Sequence, residues 1–169
     1  ATGHRYIPNA SDRIHRHFDF DNVPQINSDG YYDVDRSSTR DADRVRLAVV
    51  GDSFTASLGV PLPQLWTQVL ERELRAATGA PIDVINLGLS SETVNGMSEP
   101  GHPFPRPCIL SRLDKALAAA RPDWTFVCYG MNDGIYYPPR EDVQAAYRKG
   151  WATLRGKLTA AGSKVIPLT

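Results

Sequence analysis

Arg46-Leu47-Ala48-Val49-Val50-Gly51-Asp52-Ser53 decides how this chain is read. The four apolar residues from Leu47 to Val50 run without polar alternation into a glycine and an aspartate, the pattern of a strand buried on both faces of a parallel sheet. The serine that follows then lies at the carboxyl end of that strand, the edge at which open α/β sheets keep their chemistry. A serine hydroxyl is a weak nucleophile at neutral pH, so such a reading requires two further things of the chain: donors for a developing oxyanion, and a base.

Downstream of Ser53 the pattern is regular. Leu65, Trp66, Val69, Leu70 and Leu74 recur at helical spacing and stop before Gly79, which predicts an amphipathic helix lying on a sheet. Ile82 to Leu87 predicts a second strand ending at Gly88, and Ile109, Leu110, Leu113, Leu117 and Ala120 a second helix, stopped by Arg121-Pro122. The unit repeats with a strand from Trp124 to Tyr129 ending at Gly130, then a long helix marked by Val143, Tyr147, Trp151, Leu154 and Leu158, entered through Pro138-Pro139 and left at Gly162. Lys164 to Leu168 begins a fourth strand. Alternating strands and helices predict an α/β fold, a three-layer doubly wound parallel sheet of the flavodoxin type, over residues 46–169. The chain stops inside or just at the end of that fourth strand, where only Pro167 opposes pairing along an apolar edge. The expectation is a fold incomplete at its carboxyl end, finished by a further segment or a second polypeptide.

Upstream the texture differs. Residues 1–45 are rich in Asp, Arg, Asn and Ser, with scattered aromatics and little periodicity, and are read as an extended arm with a hairpin around Asn27-Ser28-Asp29-Gly30.

The bulk composition excludes more than it assigns. A chain of 169 residues has the size of one domain. Nineteen basic and nineteen acidic residues balance, without a long block of either sign, so neither nucleic acid nor an anionic membrane is expected as a partner. Two cysteines are too few for a disulfide framework and read as core or near-core thiols. No apolar run reaches the roughly 20 residues of a membrane span. The compartment is left open: residue 1 is Ala, a secreted or periplasmic location would follow if a leader had been removed, and the sequon Asn9-Ala10-Ser11 is too short to decide.

Each of the first three strands ends in a small, polar or glycine-containing turn: Gly51-Asp52-Ser53, Asn86-Leu87-Gly88 and Gly130-Met131-Asn132-Asp133. In a parallel sheet these ends share one edge and neighbours stand about 5 Å apart, so they converge on one crevice. There Ser53 can attack an acyl carbonyl while its own N–H, the N–H of Gly88 and the side-chain amide of Asn132 meet the oxyanion, each donor worth about 3 kcal/mol in the transition state.

These three blocks, in this order and spacing, resemble the SGNH or GDSL-type hydrolase family across about residues 46–169. The resemblance implies a nucleophilic Ser53, oxyanion donors at Gly88 and Asn132, and ester hydrolysis through an acyl-enzyme. No Cys/His spacing suggests zinc, and no phosphate-binding glycine loop follows a strand. The expected substrate is a small-molecule or carbohydrate ester. The proline-stiffened polar stretch from Ser90 to Pro107, with Tyr136-Tyr137, favours an acetylated carbohydrate, and His102 and Tyr136 are candidate substrate contacts. Two alternatives keep the same crevice: acyl transfer to a sugar hydroxyl, and a non-catalytic carbohydrate-binding relative.

The base is the departure. The family places a His in an Asp-x-x-His block near the carboxyl terminus, and here the histidines are His4, His15, His17 and His102. Asp12-Arg13-Ile14-His15 matches as a string but follows no strand, and reads as coincidence. Asp52 and Asp133 are expected to cap turns or hold loops, and the pairs Asp19/Asp21 and Asp33/Asp35 to be solvated parts of the arm.

Overall fold

A computed structural model describes residues 5–16, 19–37, 39–134 and 138–168. The arm opens with a small antiparallel pair, β1 (Ile14–Arg16) and β2 (Phe20–Asn22). The α/β unit follows as β3 (Val45–Gly51), α1 (Ser53–Ala56), α2 (Trp66–Thr78), β4 (Ile82–Asn86), α3 (Leu113–Ala120), β5 (Trp124–Cys128), α4 (Met131–Gly134), α5 (Glu141–Ala160) and β6 (Lys164–Pro167). Strands β3 to β6 form one parallel sheet in the order β4-β3-β5-β6. The first strand of the sheet in chain order is thus an interior one, and the chain winds outward from it in both directions, the doubly wound arrangement expected from the sequence.

Residue parity explains the layers. Leu47, Val49, Ile82 and Val84 point to one face, where they meet Trp66, Leu70 and Leu74 of α2. Ala48, Val50, Ile85, Leu87 and Val127 point to the other and meet Leu113, Ala116, Leu117 and Ala120 of α3 with Leu154 and Leu158 of α5. Leu113, Leu154 and Leu158 are wholly buried, and each such side chain contributes roughly 1.5–3 kcal/mol of transfer free energy. Helix α2 ends at Gly79, whose φ of 69° places it in the left-handed region and returns its N–H to the Arg75 carbonyl at 2.9 Å.

Strand β4 is an edge strand, and its outer backbone groups are met by side chains. The Val84 N–H donates to Glu71 Oε2 at 2.8 Å and the Asn86 N–H to Asp33 Oδ2 at 3.0 Å. Arg36 Nη2 donates to the Val84 carbonyl at 2.9 Å, and Arg75 Nε to that of Ile82 at 2.6 Å. An exposed row of ladder groups is thereby occupied along one margin of the sheet. The arm supplies two of these four residues, so it is a clasp on the sheet edge.

Three expectations are corrected. The antiparallel pair lies at 14–22, while Asn27 to Gly30 form a turn in which Asn27 Oδ1 accepts the N–H groups of Asp29 and Tyr31, with Gly30 at φ 83°. Asp33 is buried, not solvated, because its carboxylate accepts from Asn86, Arg36 and Gln68. The second predicted helix begins as a 3-10 turn at Ile109–Ser111 before α3 proper.

Candidate active site

Ser53 is the first residue of α1, and Asp52 caps that turn by accepting the Phe54 N–H at 3.0 Å. Gly51 makes this sharp strand-to-helix turn possible: a Cβ there would lie 2.0 Å from Thr55 Oγ1 and 2.8 Å from the Cys128 carbonyl oxygen. The Ser53 side chain is consequently exposed on the carboxyl edge of the central strand, with a core-bound turn behind it. Among the described residues its N–H meets no acceptor.

The chain leaving β4 stays beside β3 for a few residues, since the Leu87 N–H donates to the Val49 carbonyl and the Leu89 N–H to that of Gly51, each at 2.9 Å. This brings Ser90 and Ser91 to the level of Ser53. Gly88 lies one step below. A Cβ at Gly88 would stand 2.4 Å from Ala56 N and 2.8 Å from the Thr55 carbonyl carbon, so this glycine lets α1 pack directly on the strand end. Its N–H donates to Asn86 Oδ1 at 3.0 Å and is therefore engaged, not aimed at the crevice.

Ser91 differs. It has a φ of 64°, a region that costs a non-glycine residue about 1 kcal/mol or more, and its N–H has no acceptor among the described residues. The turn is fixed from several sides: Tyr6 Oη accepts the Ser90 N–H at 2.9 Å, the Glu92 N–H returns to the Leu89 carbonyl at 3.2 Å, and Arg106 Nη1 reaches the Ser91 carbonyl at 3.4 Å. A strained backbone held in place by its surroundings is a recognised mark of functional turns. Sequence reading passed over Ser91 because nothing in Ser90-Ser91-Glu92 announces a left-handed residue, as a glycine would have done.

Asn132 sits in α4 just past β5 and is buried. Its Oδ1 accepts from Arg106 Nη1 at 3.0 Å and its Nδ2 donates to the Glu92 carbonyl at 3.0 Å. These two bonds fix which way the amide faces and leave the second Nδ2 hydrogen for the crevice. Beneath lies a buried ionic cluster: Arg112 Nε and Nη2 donate to the Glu92 carboxylate at 2.6 and 2.5 Å, and Tyr129 Oη donates to Glu92 Oε2 at 2.5 Å. Burial pushes the Tyr129 phenol well above its ordinary range, aided by the Glu92 charge. Asp133 accepts the Val94 and Asn95 N–H groups at 2.9 and 2.7 Å and so anchors the start of the long loop. Its other oxygen is buried without a partner, and burial pushes its pKa up, as it does for Asp52. Both aspartates hold backbone, as the sequence suggested.

The loop from Val94 to Pro107 leaves and rejoins the body at one point, where Thr93 pairs with Cys108. Within it, Arg106 Nε and Nη2 donate to the two oxygens of Glu99 at 2.6 and 2.5 Å, and the guanidinium holds the Glu99 carboxyl down at about 2. His102 is turned back on this loop: Nδ1 is 2.5 Å from the Phe104 carbonyl oxygen and the ring stands edge-on to Phe104 at 4.6 Å. Tyr136 and Tyr137 lie outside the described residues, as do His4 and His17. His15 is on the exposed hairpin with Nδ1 3.8 Å from Asp21 Oδ2. Two apolar side chains flank the site, Phe54 after the serine and Met131 before the asparagine, 60% and 48% exposed. A cavity of about 240 Å³ opens beyond Asn132, between Met97 to Pro100 and the segments around Gly134 and Pro138 to Gln144.

A serine at the carboxyl end of the central strand, an asparagine amide past the next strand and a backbone N–H between them define a class of α/β serine hydrolase. The chain belongs to the GDSL-like lipase/acylhydrolase family, whose model matches residues 49–169. It is 32% identical to esterase TesA of Pseudomonas aeruginosa over 130 residues, covering 77% of this chain and 56% of that protein. It superposes on the crystal structure of TesA with a TM-score of 0.55 at 30% identity, over 72% of this chain and 58% of that one. The SGNH-hydrolase family esterase AlinE4 shares the fold, with a TM-score of 0.58 at 20% identity over 76% of this chain and 60% of that structure. The chain thus spans a little over half the length of these relatives.

Proposed function

We propose that this chain carries the nucleophile and oxyanion site of a carboxylic ester hydrolase. Ser53 Oγ attacks the ester carbonyl carbon, the alcohol leaves to give an acyl-enzyme, and water then releases the acid. The oxyanion of each tetrahedral intermediate is met by the N–H groups of Ser53 and Ser91 and by Asn132 Nδ2. Ser91 takes the place first assigned to Gly88, because a Gly88 donor would have to give up its bond to Asn86 whereas the Ser91 N–H has nothing to break. The observation that carries the reading is the convergence of an exposed serine with unengaged donors at one sheet edge.

For the proton acceptor of Ser53 we propose a histidine supplied by a further segment or by a second polypeptide. In support of this, the two described histidines are committed elsewhere, His15 beside Asp21 and His102 on its own loop, and the relatives run to nearly twice the matched length.

For the substrate we propose a short acyl group on a polar alcohol, an acetylated carbohydrate being the model case. The loop that rises beside Ser91 is polar and proline-rich, which supports a polar alcohol, while the apolar side chains next to the site residues are the exposed Phe54 and Met131, which support a small acyl group. Replacing Ser53 by Ala in the full-length protein should reduce turnover of p-nitrophenyl acetate by at least about 10³-fold, the scale on which removal of a nucleophile acts. Unchanged turnover would refute the assignment.

A further inference from the structure

One guanidinium touches both groups that flank Ser53. Arg106 Nη1 donates to Asn132 Oδ1 at 3.0 Å and reaches the Ser91 carbonyl at 3.4 Å, while Nε and Nη2 of the same side chain are taken by Glu99. Arg106 is buried, its backbone N–H donates to Ser98 Oγ at 2.7 Å, and it is enclosed between Pro105 and Pro107. We infer that Arg106 is a positioning residue for the oxyanion site: it orients the Asn132 amide, holds the left-handed turn at Ser91, and is itself held by Glu99.

The physical case has three parts. An asparagine amide can present oxygen or nitrogen to a crevice, and only the nitrogen serves an oxyanion. Arg106 has donors alone, so Asn132 Oδ1 must face it and Nδ2 must face away. Second, Ser91 is in a conformation its side chain disfavours, and a bond to its carbonyl restrains the ψ angle that would otherwise relax it. Third, an unpaired cation here would bind anions at the site. Glu99 cancels that charge with a bidentate pair and spans the guanidinium in its plane, so rotation of Arg106 is costly. Lysine could not make the three-way connection. The contacts arise inside the long loop, so the loop contributes to reaction geometry as well as forming a wall.

This inference rests on the hydrolase reading, and its test separates the two. In the full-length protein, kcat and KM for p-nitrophenyl acetate are measured for Ser53→Ala, Arg106→Gln, Arg106→Lys and Glu99→Gln, alongside circular dichroism and thermal melting. Because removal of one oxyanion donor costs about 10²–10³-fold in kcat, misorienting donors by Arg106→Gln should cost about 30–100-fold in kcat with KM within about twofold. Glu99→Gln should cost about 3–10-fold, and Arg106→Lys should recover part of the Arg106→Gln loss. If Arg106→Gln does not fold, Glu99→Gln decides alone. Wild-type kcat in a folded Glu99→Gln and Arg106→Gln, or a lowered melting temperature with kcat per folded molecule unchanged, would overturn the positioning role while an inactive Ser53→Ala left the hydrolase reading standing. Full activity in Ser53→Ala would remove both.

Discussion

The Gly88 N–H donates to the side-chain carbonyl of Asn86 at 3.0 Å, closing a tight turn two residues wide at the end of β4. Asn86 Nδ2 continues the connection to the Thr55 carbonyl at 3.0 Å and the Tyr32 carbonyl at 3.2 Å. The strand end, the α1 turn and the arm therefore meet at one buried amide. Gly88→Ala should destabilise the fold by about 1–3 kcal/mol, the scale of overpacking, because its Cβ would enter the α1 backbone. Urea unfolding of the variant measures this, and a midpoint equal to that of the parent would show that the turn yields without cost.

The arm is predicted to contribute to stability through Asp33. Its carboxylate accepts the Asn86 N–H, Gln68 Nε2 at 2.6 Å and the Arg36 guanidinium, all away from water. Asp33→Ala leaves the Asn86 N–H and Gln68 Nε2 without their acceptor, while Arg36 keeps Glu71 and the Val84 carbonyl, and stranding a buried donor costs about 1–3 kcal/mol. Thermal melting should record a large drop; a change below the measurement error would mean the clasp is dispensable.

Ser91 offers a paired test of backbone strain. Ser91→Gly relieves the left-handed conformation and should raise stability by up to about 1 kcal/mol, while Ser91→Val, β-branched in that region, should lower it by about 1–2 kcal/mol. Equal stability of the two variants would contradict the conformation described.

Acid should loosen the long loop through Glu99. Its carboxyl is held at about 2 in the folded protein against an ordinary 4.5, with Arg106 the principal cause. A depressed carboxyl stabilises the folded form above the unfolded pKa, so the contribution is complete above about pH 4.5 and is lost as pH falls toward 2. Proteolysis by pepsin at points across that window should cut between Met97 and Pro107 increasingly as pH falls, and Glu99→Gln should abolish the trend. A Glu99→Gln variant with the parent's pH dependence would exclude this pair as the source.

Much of the fold was legible because burial writes itself into periodicity. The run Leu47 to Val50 and the spacing of Leu65 to Leu74 specify one strand and one helix, and the structure has β3 and α2 there. Asp33 was not legible, since its burial depends on a strand edge more than fifty residues away in sequence, at Asn86. At the candidate site, the strand-end motifs single out Ser53 and Asn132, and the structure sets them just past β3 and β5, whereas Ser91 carries no such signal in the sequence. A glycine in Asn86-Leu87-Gly88 invites the reading of an open N–H, yet that glycine answers to the packing of α1, and the strained turn falls on a serine three residues later. Arg106 escaped for another reason: its partners Ser91, Glu99 and Asn132 are joined only by the folded loop.

The proposed hydrolase chemistry requires Ser53 to be a nucleophile supported by oxyanion donors. The most direct measurement is to treat the full-length protein with a fluorophosphonate, digest it and map the adduct by mass spectrometry. A single phosphonylated peptide modified at Ser53 is expected, with no adduct in Ser53→Ala. Labelling at another residue, or an unmodified Ser53 in protein that turns over p-nitrophenyl acetate, would contradict it.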